Sequence, residues 1–150
     1  MNYWLVKTEP NKYSIDDLKK DKTTAWDEVR NYQARNFLTS MKKGDQVIVY
    51  HSNAKPPGIV GLATVTKEAY PDELQFDKKS NYFDPKATKE SPRWFSPDLK
   101  FKKKFAELVP LDDLRGEKKL ANMKLLQKGS RLSVIPVTEA EFDHVLKIAS

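Results

Sequence analysis

The most informative feature of the sequence is what it lacks. Its 150 residues include no cysteine, which excludes disulfides, thiolate nucleophiles and cysteine-based zinc sites. The two histidines, His51 and His144, are too few and too far apart to indicate a histidine-rich metal centre. Glycine occurs only at positions 44, 58, 61, 116 and 129, so neither a phosphate-cradling loop nor a GxGxxG turn can be assembled. The sequence therefore predicts no catalytic constellation, no metal and no cofactor.

Long apolar segments are also missing. No stretch approaches the roughly 20 apolar residues of a membrane-spanning helix. The first ten residues lack the basic start and long apolar run of a secretory signal. These absences predict a cytoplasmic location without membrane contact. The length suits a single compact domain over residues 1–150, with one substantial hydrophobic core.

The charge of the chain is mildly positive. Lys and Arg number 27 against 21 Asp and Glu, a net charge of +6 that is spread along the whole sequence. This charge permits an anionic partner but does not prove one. The dense basic cluster consists of Lys100, Lys102, Lys103 and Lys104. Such a cluster is typical either of an exposed edge strand protected by lysines or of a surface for a nucleic-acid backbone.

Two helices are predicted from their capping residues and periodicity. Ser14, followed three residues later by Asp17, is an N-cap signal for a helix from Ile15 to Lys20. Asn31 is placed to cap a second helix from Tyr32 to Met41, where apolar residues recur at i, i+3, i+4 and i+7. Both helices therefore begin at residues that the sequence marks locally.

The remaining elements indicate a mixed fold. Residues 71–100 are rich in proline and aromatic residues and predict an ordered connection with short strands. Because strands and helices do not alternate strictly, we expect an α+β domain around a small β-barrel. Strands are predicted at Tyr3–Val6, Asp45–His51, Ile59–Thr66, Phe101–Val109 and Arg131–Val137. Further helices are predicted at Leu111–Leu114, at Lys118–Leu126 and after the capping pair Thr138 and Glu141.

Polar and aromatic side chains gather at the predicted ends of strands and helices. Trp26, Arg30 and Asn31 precede the second helix, and residues 51–53 (HSN) end a strand. Tryptophan can stack on a nucleobase, while Asn and Ser supply the donors and acceptors that distinguish base edges. The guanidinium groups of Arg30 and Arg35 are suited to contacts with phosphate groups. A structural interpretation stays open, in which Trp26 lies in the core, Asn31 is only a cap and Arg35 is a solvated flank.

Six segments carry a resemblance to a known family. In chain order they are residues 3–10 (YWLVKTEP), 26–36 (WDEVRNYQARN), 50–53 (YHSN), 57–61 (PGIVG), 68–72 (EAYPD) and 131–134 (RLSV). This series resembles the EVE domain family, which has a PUA-like fold. The resemblance implies a small mixed β-barrel flanked by short helices, with a pocket that holds one base, often a modified one such as methylated cytosine.

The resemblance also implies which residues bind. Ligand-binding positions are Trp26, Arg30, Asn31, Tyr50, His51, Ser52, Asn53 and Trp94. Contacts to a nucleic-acid backbone are predicted at Lys7, Arg35, Lys102 and Lys103. The sequence departs from the family at Glu28, where members usually have Gly, and at residues 95–97 (FSP), which replace a run of small and branched residues.

The sequence therefore predicts a non-catalytic module that binds DNA or RNA through one base. Two alternatives stay open. PUA-like relatives include nucleases, and a metal-free ribonuclease could use Lys7, Tyr50 or His51 for general acid–base catalysis. A sensor of a free nucleoside or another planar metabolite is the other alternative, and its binding would be insensitive to salt.

Overall fold

The computed structural model describes residues 1–128 and 131–149. The strands are β1 (Tyr3–Thr8), β2 (Thr23–Ala25), β3 (Gln46–His51), β4 (Gly58–Pro71), β5 (Phe95–Pro110) and β6 (Val134–Val137). The helices are α1 (Ile15–Asp21), α2 (Tyr32–Ser40), α3 (Leu111–Arg115) and α4 (Glu139–Ala149). Short 3-10 helices lie at Glu73–Phe76, Lys118–Leu120 and Lys124–Leu126.

The strands form one mixed sheet in the order β2-β5-β4-β3-β1-β6. β1 runs parallel to β3, whereas the other neighbouring strands are antiparallel. Register shifts interrupt the long β4–β5 pairing at several points, and such bulges bend and twist a strand pair. The predicted α+β class is confirmed. In place of a closed barrel, the described strands form an open sheet with β2 and β6 at its edges.

Alternating side chains of the central strands supply two separate cores. In β1, Trp4 and Val6 pack into one cluster with α1 and α2, while Leu5 packs into the other with α3 and α4. In β3, Val47 joins the first cluster and Ile48 the second. This is the period of two expected for a strand with both faces covered. The run of buried apolar residues Val47–Val49 in β3 therefore reflects a sheet covered by helices on both sides.

The predicted helix starts are confirmed by their capping hydrogen bonds. Ser14 and Asp17 exchange both bonds of a capping box at α1, and the Asn31 side chain accepts a backbone N–H at the start of α2. Thr138 and Glu141 form a second capping box at α4. Capping is decided within four residues of chain, so local sequence was sufficient to find it.

Several predicted elements differ in extent or type. β4 runs on to Pro71 and β5 begins at Phe95, so the segment 72–94 between them contains a 3-10 helix and loops rather than the short strands expected there. The prolines of this segment lack the N–H that a strand ladder needs. Strand β2 was not predicted. The helix expected at Lys118–Leu126 is a pair of 3-10 helices.

Gly61 allows a close approach between β4 and its neighbours. A Cβ atom at this position would lie 2.4 Å from the Lys103 carbonyl oxygen and 2.8 Å from the Ile15 side chain. The small residue therefore serves packing of α1 against the sheet rather than lining a cavity.

The lysine cluster of β5 lies beside an uncovered part of the sheet. β2 pairs only with residues 98–100 of β5, and Lys102, Lys103 and Lys104 are exposed beyond that point. This position fits the edge-protection interpretation. No described helix is long and apolar enough to cross a membrane. The cytoplasmic location stays a prediction.

Candidate functional site

A cavity of about 560 Å³ lies beside the end of β1. This volume is within the range of typical small-molecule pockets. The loop that joins β2 to α2 forms much of its wall, and Ser52 and Tyr82 approach from elsewhere in the chain. The lining residues are Lys7, Thr8, Glu9, Lys12, Tyr13, Thr24, Ala25, Trp26, Asp27, Glu28, Val29, Arg30, Ser52, Tyr82, Arg131 and Ser133.

The buried carboxylate of Asp72 holds the loop of this wall. Its Oδ2 accepts hydrogen bonds from the Glu28 backbone N–H at 2.9 Å and from Arg30 Nη1 at 3.0 Å. Its Oδ1 accepts from the Leu74 backbone N–H at 2.8 Å. Arg30 also donates through Nε and Nη2 to the Tyr82 carbonyl oxygen, at 3.1 and 2.9 Å. One carboxylate thus fixes the loop from within while Arg30 ties it to the segment that carries Tyr82.

Trp26 carries a polar group that has no acceptor in the described protein. Trp4 and Trp94 donate their indole N–H groups to Asp45 and Asp84. Trp26 is only 8% exposed, yet its indole N–H bonds to none of the described residues. Every fully buried side-chain nitrogen or oxygen among these residues has a partner, so this N–H must reach accessible space. Trp26 is also one of the residues that line the cavity.

Asp27 places a carboxyl group in the same wall. Burial, with the nearby charges of Asp72 and Glu28, raises the pKa of Asp27 from its usual 3.8 to about 6. Its carboxyl group forms no ion pair or hydrogen bond with the side chain of another described residue. A carboxyl with this pKa can donate a proton in a hydrogen bond when neutral and accept one when ionised.

We expect Asp27→Asn to stabilise the protein at alkaline pH and to have less effect in acid. The folded state holds the Asp27 proton more tightly than the unfolded state. Protonated Asp27 therefore adds stability to the wild type below about pH 4, and this contribution is lost as the pH rises through about 6. Asparagine cannot ionise, so the variant does not undergo this loss. At about pH 8 the variant should gain roughly 1 kcal/mol, after allowing for solvent screening. Urea unfolding of both proteins at about pH 4.5 and pH 8 measures this gain. An equal difference at both pH values would contradict it.

Lys7 is one of the residues that line the cavity. The side chain is half-buried, and burial lowers the pKa of its ammonium group. Its Nζ lies 5.9 Å from the centroid of the Tyr50 ring and forms no ion pair with a described carboxylate. The other lining lysine, Lys12, is paired with Glu9 at 3.0 Å. The Lys7 ammonium group therefore lies on the Tyr50 side of β1, and the Lys12 ammonium group is paired with Glu9.

Glu28 has a backbone conformation that favours glycine. Its φ of 69° lies in the left-handed region, where a side chain costs energy and glycine does not. The glycine that the family resemblance implies at this position thus fits the geometry of the loop. In this chain Glu28 adopts the same conformation, held by its backbone hydrogen bond to Asp72.

The structure brings four of the predicted binding residues to the cavity. These are Trp26, Arg30, Ser52 and Lys7. Their shared position at this cavity is what the sequence hypothesis requires. The assignment of binding roles to them stays a prediction.

Three predicted residues around the end of β3 do not line the cavity. Tyr50 is 4% exposed and packs into the second core, on the other face of the sheet from Trp26. The Nε2 of His51 accepts the Ile15 backbone N–H at 3.0 Å, and burial lowers the pKa of this imidazole. Asn53 is exposed and donates to Glu9, which does line the cavity, at 2.9 Å.

The other predicted residues also lie outside the cavity. The Asn31 side chain is engaged as the cap of α2. Trp94 is 6% exposed, and Arg35 donates to the Arg93 carbonyl oxygen at 3.0 Å. Lys102 and Lys103 are exposed on β5, where Lys102 donates to Gln46 at 2.7 Å.

Sequence reasoning missed several residues that the structure brings to the cavity or its support. Asp27 was hidden because a carboxylate next to a tryptophan has no distinctive pattern, and Tyr82 because it lies in an irregular segment. Asp72 stands within one of the segments that carried the family resemblance, which was a usable signal. Its contact with Arg30 nevertheless spans 42 residues, so spacing alone could not reveal it.

Comparison with known proteins gives a consistent answer over nearly the whole chain. The EVE domain family matches residues 2–148. Mouse thymocyte nuclear protein 1 is 43% identical over 166 residues, which cover 98% of this chain and 73% of the mouse protein. The crystal structure of human THYN1 protein in complex with 5-methylcytosine-containing DNA matches with a TM-score of 0.93 at 41% identity, over 100% of this chain and 98% of that one. A hypothetical protein from Leishmania major matches with a TM-score of 0.95 at 48% identity, over 99% of this chain and 94% of that one. These matches confirm the PUA-like fold that the resemblance implied.

Proposed function

This chain belongs to the EVE domain family, and we propose that it binds nucleic acid carrying a modified base, without catalysis, and holds that base in the cavity beside β1. The observation that carries the proposal is its likeness to human THYN1, whose crystal structure contains 5-methylcytosine DNA. The cavity described above supplies a site of suitable volume on the same fold.

Two polar groups of the wall suit the edge of a cytosine. Cytosine presents an exocyclic amino group that donates and a ring carbonyl that accepts, and carboxylates are the usual acceptors for its amino group. In our proposal the Asp27 carboxyl accepts from the amino group, and the unpaired Trp26 N–H donates to the carbonyl oxygen. A base must be turned out of a duplex before its pairing edge can be read in this way, at a cost of a few kcal/mol.

Recognition of a methyl mark needs an apolar surface near the base. Ala25 and Val29 line the same wall and could contact a methyl group. Burying one such group contributes about 0.8 kcal/mol, which corresponds to roughly a fourfold preference for the methylated base. A larger preference for the methylated base would require a cavity shaped so that the methyl group fills a space that stays unfilled when an unmethylated base is bound.

The contacts of the candidate acid–base residues support a binding role over catalysis. The Nε2 lone pair of His51 already accepts a helix N–H, so it is not available to take a proton. Tyr50 packs into the opposite core. A ribonuclease would lose turnover of labelled RNA on replacing His51 with alanine, and we expect no turnover to be present in the wild type.

Trp26→Phe tests the proposed base contact directly. The change keeps a large aromatic ring but removes the N–H, so binding of a 5-methylcytosine oligonucleotide should weaken by roughly 3- to 10-fold. Titration of matched methylated and unmethylated oligonucleotides against both proteins measures this effect. Trp4→Phe is the matched control, because Trp4 is equally buried and donates to Asp45 away from this cavity. Equal affinity for both oligonucleotides, unchanged in Trp26→Phe, would refute the base-binding cavity.

A further inference from the structure

Tyr32 is an unusual side chain on the surface of this protein. Among the described residues, it and Met1 are the only large hydrophobic side chains that are exposed, and 47% of Tyr32 is accessible. It is the first residue of α2 and does not line the cavity described above. A large exposed ring of this kind calls for an explanation, because most aromatic surface is buried on folding.

The Tyr32 ring is held in place from behind. It stacks on Trp94 with the ring centroids 4.9 Å apart and the planes inclined by 21°. Trp94 is itself fixed, because its indole N–H donates to Asp84 at 2.8 Å and its backbone N–H to Gln75 at 2.9 Å. The exposed ring is therefore a rigid platform, and little conformational freedom would be lost when a planar ligand stacks on it.

Arginines surround this platform. The guanidinium carbons of Arg35 and Arg93 lie 4.9 and 5.5 Å from the centroid of Tyr32. Arg35 also lies 5.9 Å from the Trp94 centroid, which places it at the side of the stack rather than across the open face of Tyr32. The acceptors of Arg35 are the Asn36 side chain and the Arg93 carbonyl, both uncharged. Its positive charge is thus available to a phosphate.

The platform is contiguous with the cavity through Arg30. The guanidinium carbon of Arg30 lies 5.4 Å from the Trp94 centroid and 5.5 Å from that of Tyr82. Arg30 and Tyr82 both line the cavity. Arg93 is paired with Asp84 at 3.7 Å, but Arg35 has no described carboxylate partner. An exposed aromatic ring beside the Arg35 charge matches a nucleotide, whose base is planar and whose phosphate is anionic.

We propose that Tyr32, supported by Trp94 and flanked by Arg35 and Arg93, is a second subsite that stacks the nucleotide next to the one held in the cavity. This inference rests on the proposed function, since it needs a first base in the cavity. It explains why the ring is exposed and why Arg35 has no carboxylate partner among the described residues. In this arrangement the cavity selects the modified base, and the Tyr32 subsite adds affinity for the strand regardless of its sequence.

Tyr32→Leu tests the subsite, because leucine keeps an apolar cover over Trp94 but has no ring for a base. The probes are 5-methyl-2′-deoxycytidine 5′-monophosphate and a short single-stranded DNA with a central 5-methylcytosine. We expect the variant to bind the oligonucleotide about 5- to 100-fold more weakly than the wild type and the mononucleotide equally well. Tyr32→Phe should restore oligonucleotide binding, and Gln33→Ala, at the next exposed position of α2, serves as the matched control.

An abasic neighbour provides the second measurement. Removing the base on one side of the 5-methylcytosine should weaken wild-type binding as much as Tyr32→Leu does, and should not weaken the variant further. Equal oligonucleotide affinities of wild type and Tyr32→Leu would overturn the subsite. So would an equal loss with the mononucleotide, since Tyr32 would then act on the cavity. Failure of the wild type to bind either probe would instead refute the proposed function.

Discussion

Replacing Asp72 with alanine is expected to lower the free energy of unfolding by about 3–5 kcal/mol, as is usual when one partner of a buried ion pair is removed. The Asp72 side chain is 1% exposed and that of Arg30 is 21% exposed. Without the carboxylate, the Arg30 charge and the backbone N–H groups of Glu28 and Leu74 would lose their acceptor. The same change should weaken ligand binding, because the loop that carries Trp26 would no longer be fixed.

Denaturant unfolding of Asp72→Ala, Arg30→Met, the double variant and one control variant separates the causes of this loss. Asp77→Ala is the matched control, because Asp77 lies in the same segment but is exposed, and it should change stability by no more than about 0.5 kcal/mol. Arg30→Met combined with Asp72→Ala removes both charges and should cost less than the sum of the single changes. A loss below about 1 kcal/mol for Asp72→Ala would show that the carboxylate does not organise the loop.

Binding to an oligonucleotide is expected to weaken steeply with salt. If the predicted backbone contacts Lys7, Arg35, Lys102 and Lys103 each neutralise one phosphate, affinity for duplex DNA should fall roughly 100-fold as salt rises from about 50 to 200 mM. The cause is the release of counterions from the DNA, which becomes less favourable in concentrated salt. Replacing Lys7 with glutamine should make the logarithmic slope shallower by about one unit.

Titrations of a 5-methylcytosine duplex at several salt concentrations measure this slope. The matched control ligand is the nucleoside 5-methyl-2′-deoxycytidine, which carries no phosphate and should bind equally at all of them. A duplex affinity that also stays constant would favour the sensor of a free nucleoside over the nucleic-acid module. The experiment thus distinguishes two hypotheses that the composition of the chain leaves open.

Local features of the chain were predicted well, and contacts between distant segments were not. The caps at Ser14 and Asn31 involve partners three residues away, so the pattern contains all the information they need. Tyr32 belongs by sequence to the polar and aromatic group at the start of the second helix, but its stacking partner Trp94 lies 62 positions further along the chain, so the stack is not visible in the sequence. Trp94 was itself predicted to contact a base, whereas the structure buries it beneath Tyr32.

The residues at the end of β3 show why neighbouring positions in the sequence can have different surroundings in the structure. Residues 50–53 were predicted to act together, yet Tyr50 enters the second core while Ser52 lines the cavity. His51 turns to α1, where its ring accepts a backbone N–H. The surroundings of each residue depend on the face of the sheet to which its side chain points and on the elements packed against that face. A four-residue motif contains neither kind of information.

The sequence by itself determined the α+β class, the helix starts, the family and the absence of cysteine chemistry, because composition, capping and motif order are local or additive properties. Only the tertiary structure decided which polar groups are already engaged and which face the cavity. The side chains of Asn31 and His51 already form hydrogen bonds within the protein, whereas the Trp26 indole N–H bonds to none of the described residues. That difference depends on which segments pack together, and it is why our proposal uses Trp26 as a hydrogen-bond donor and not as the stacking surface that the sequence suggested.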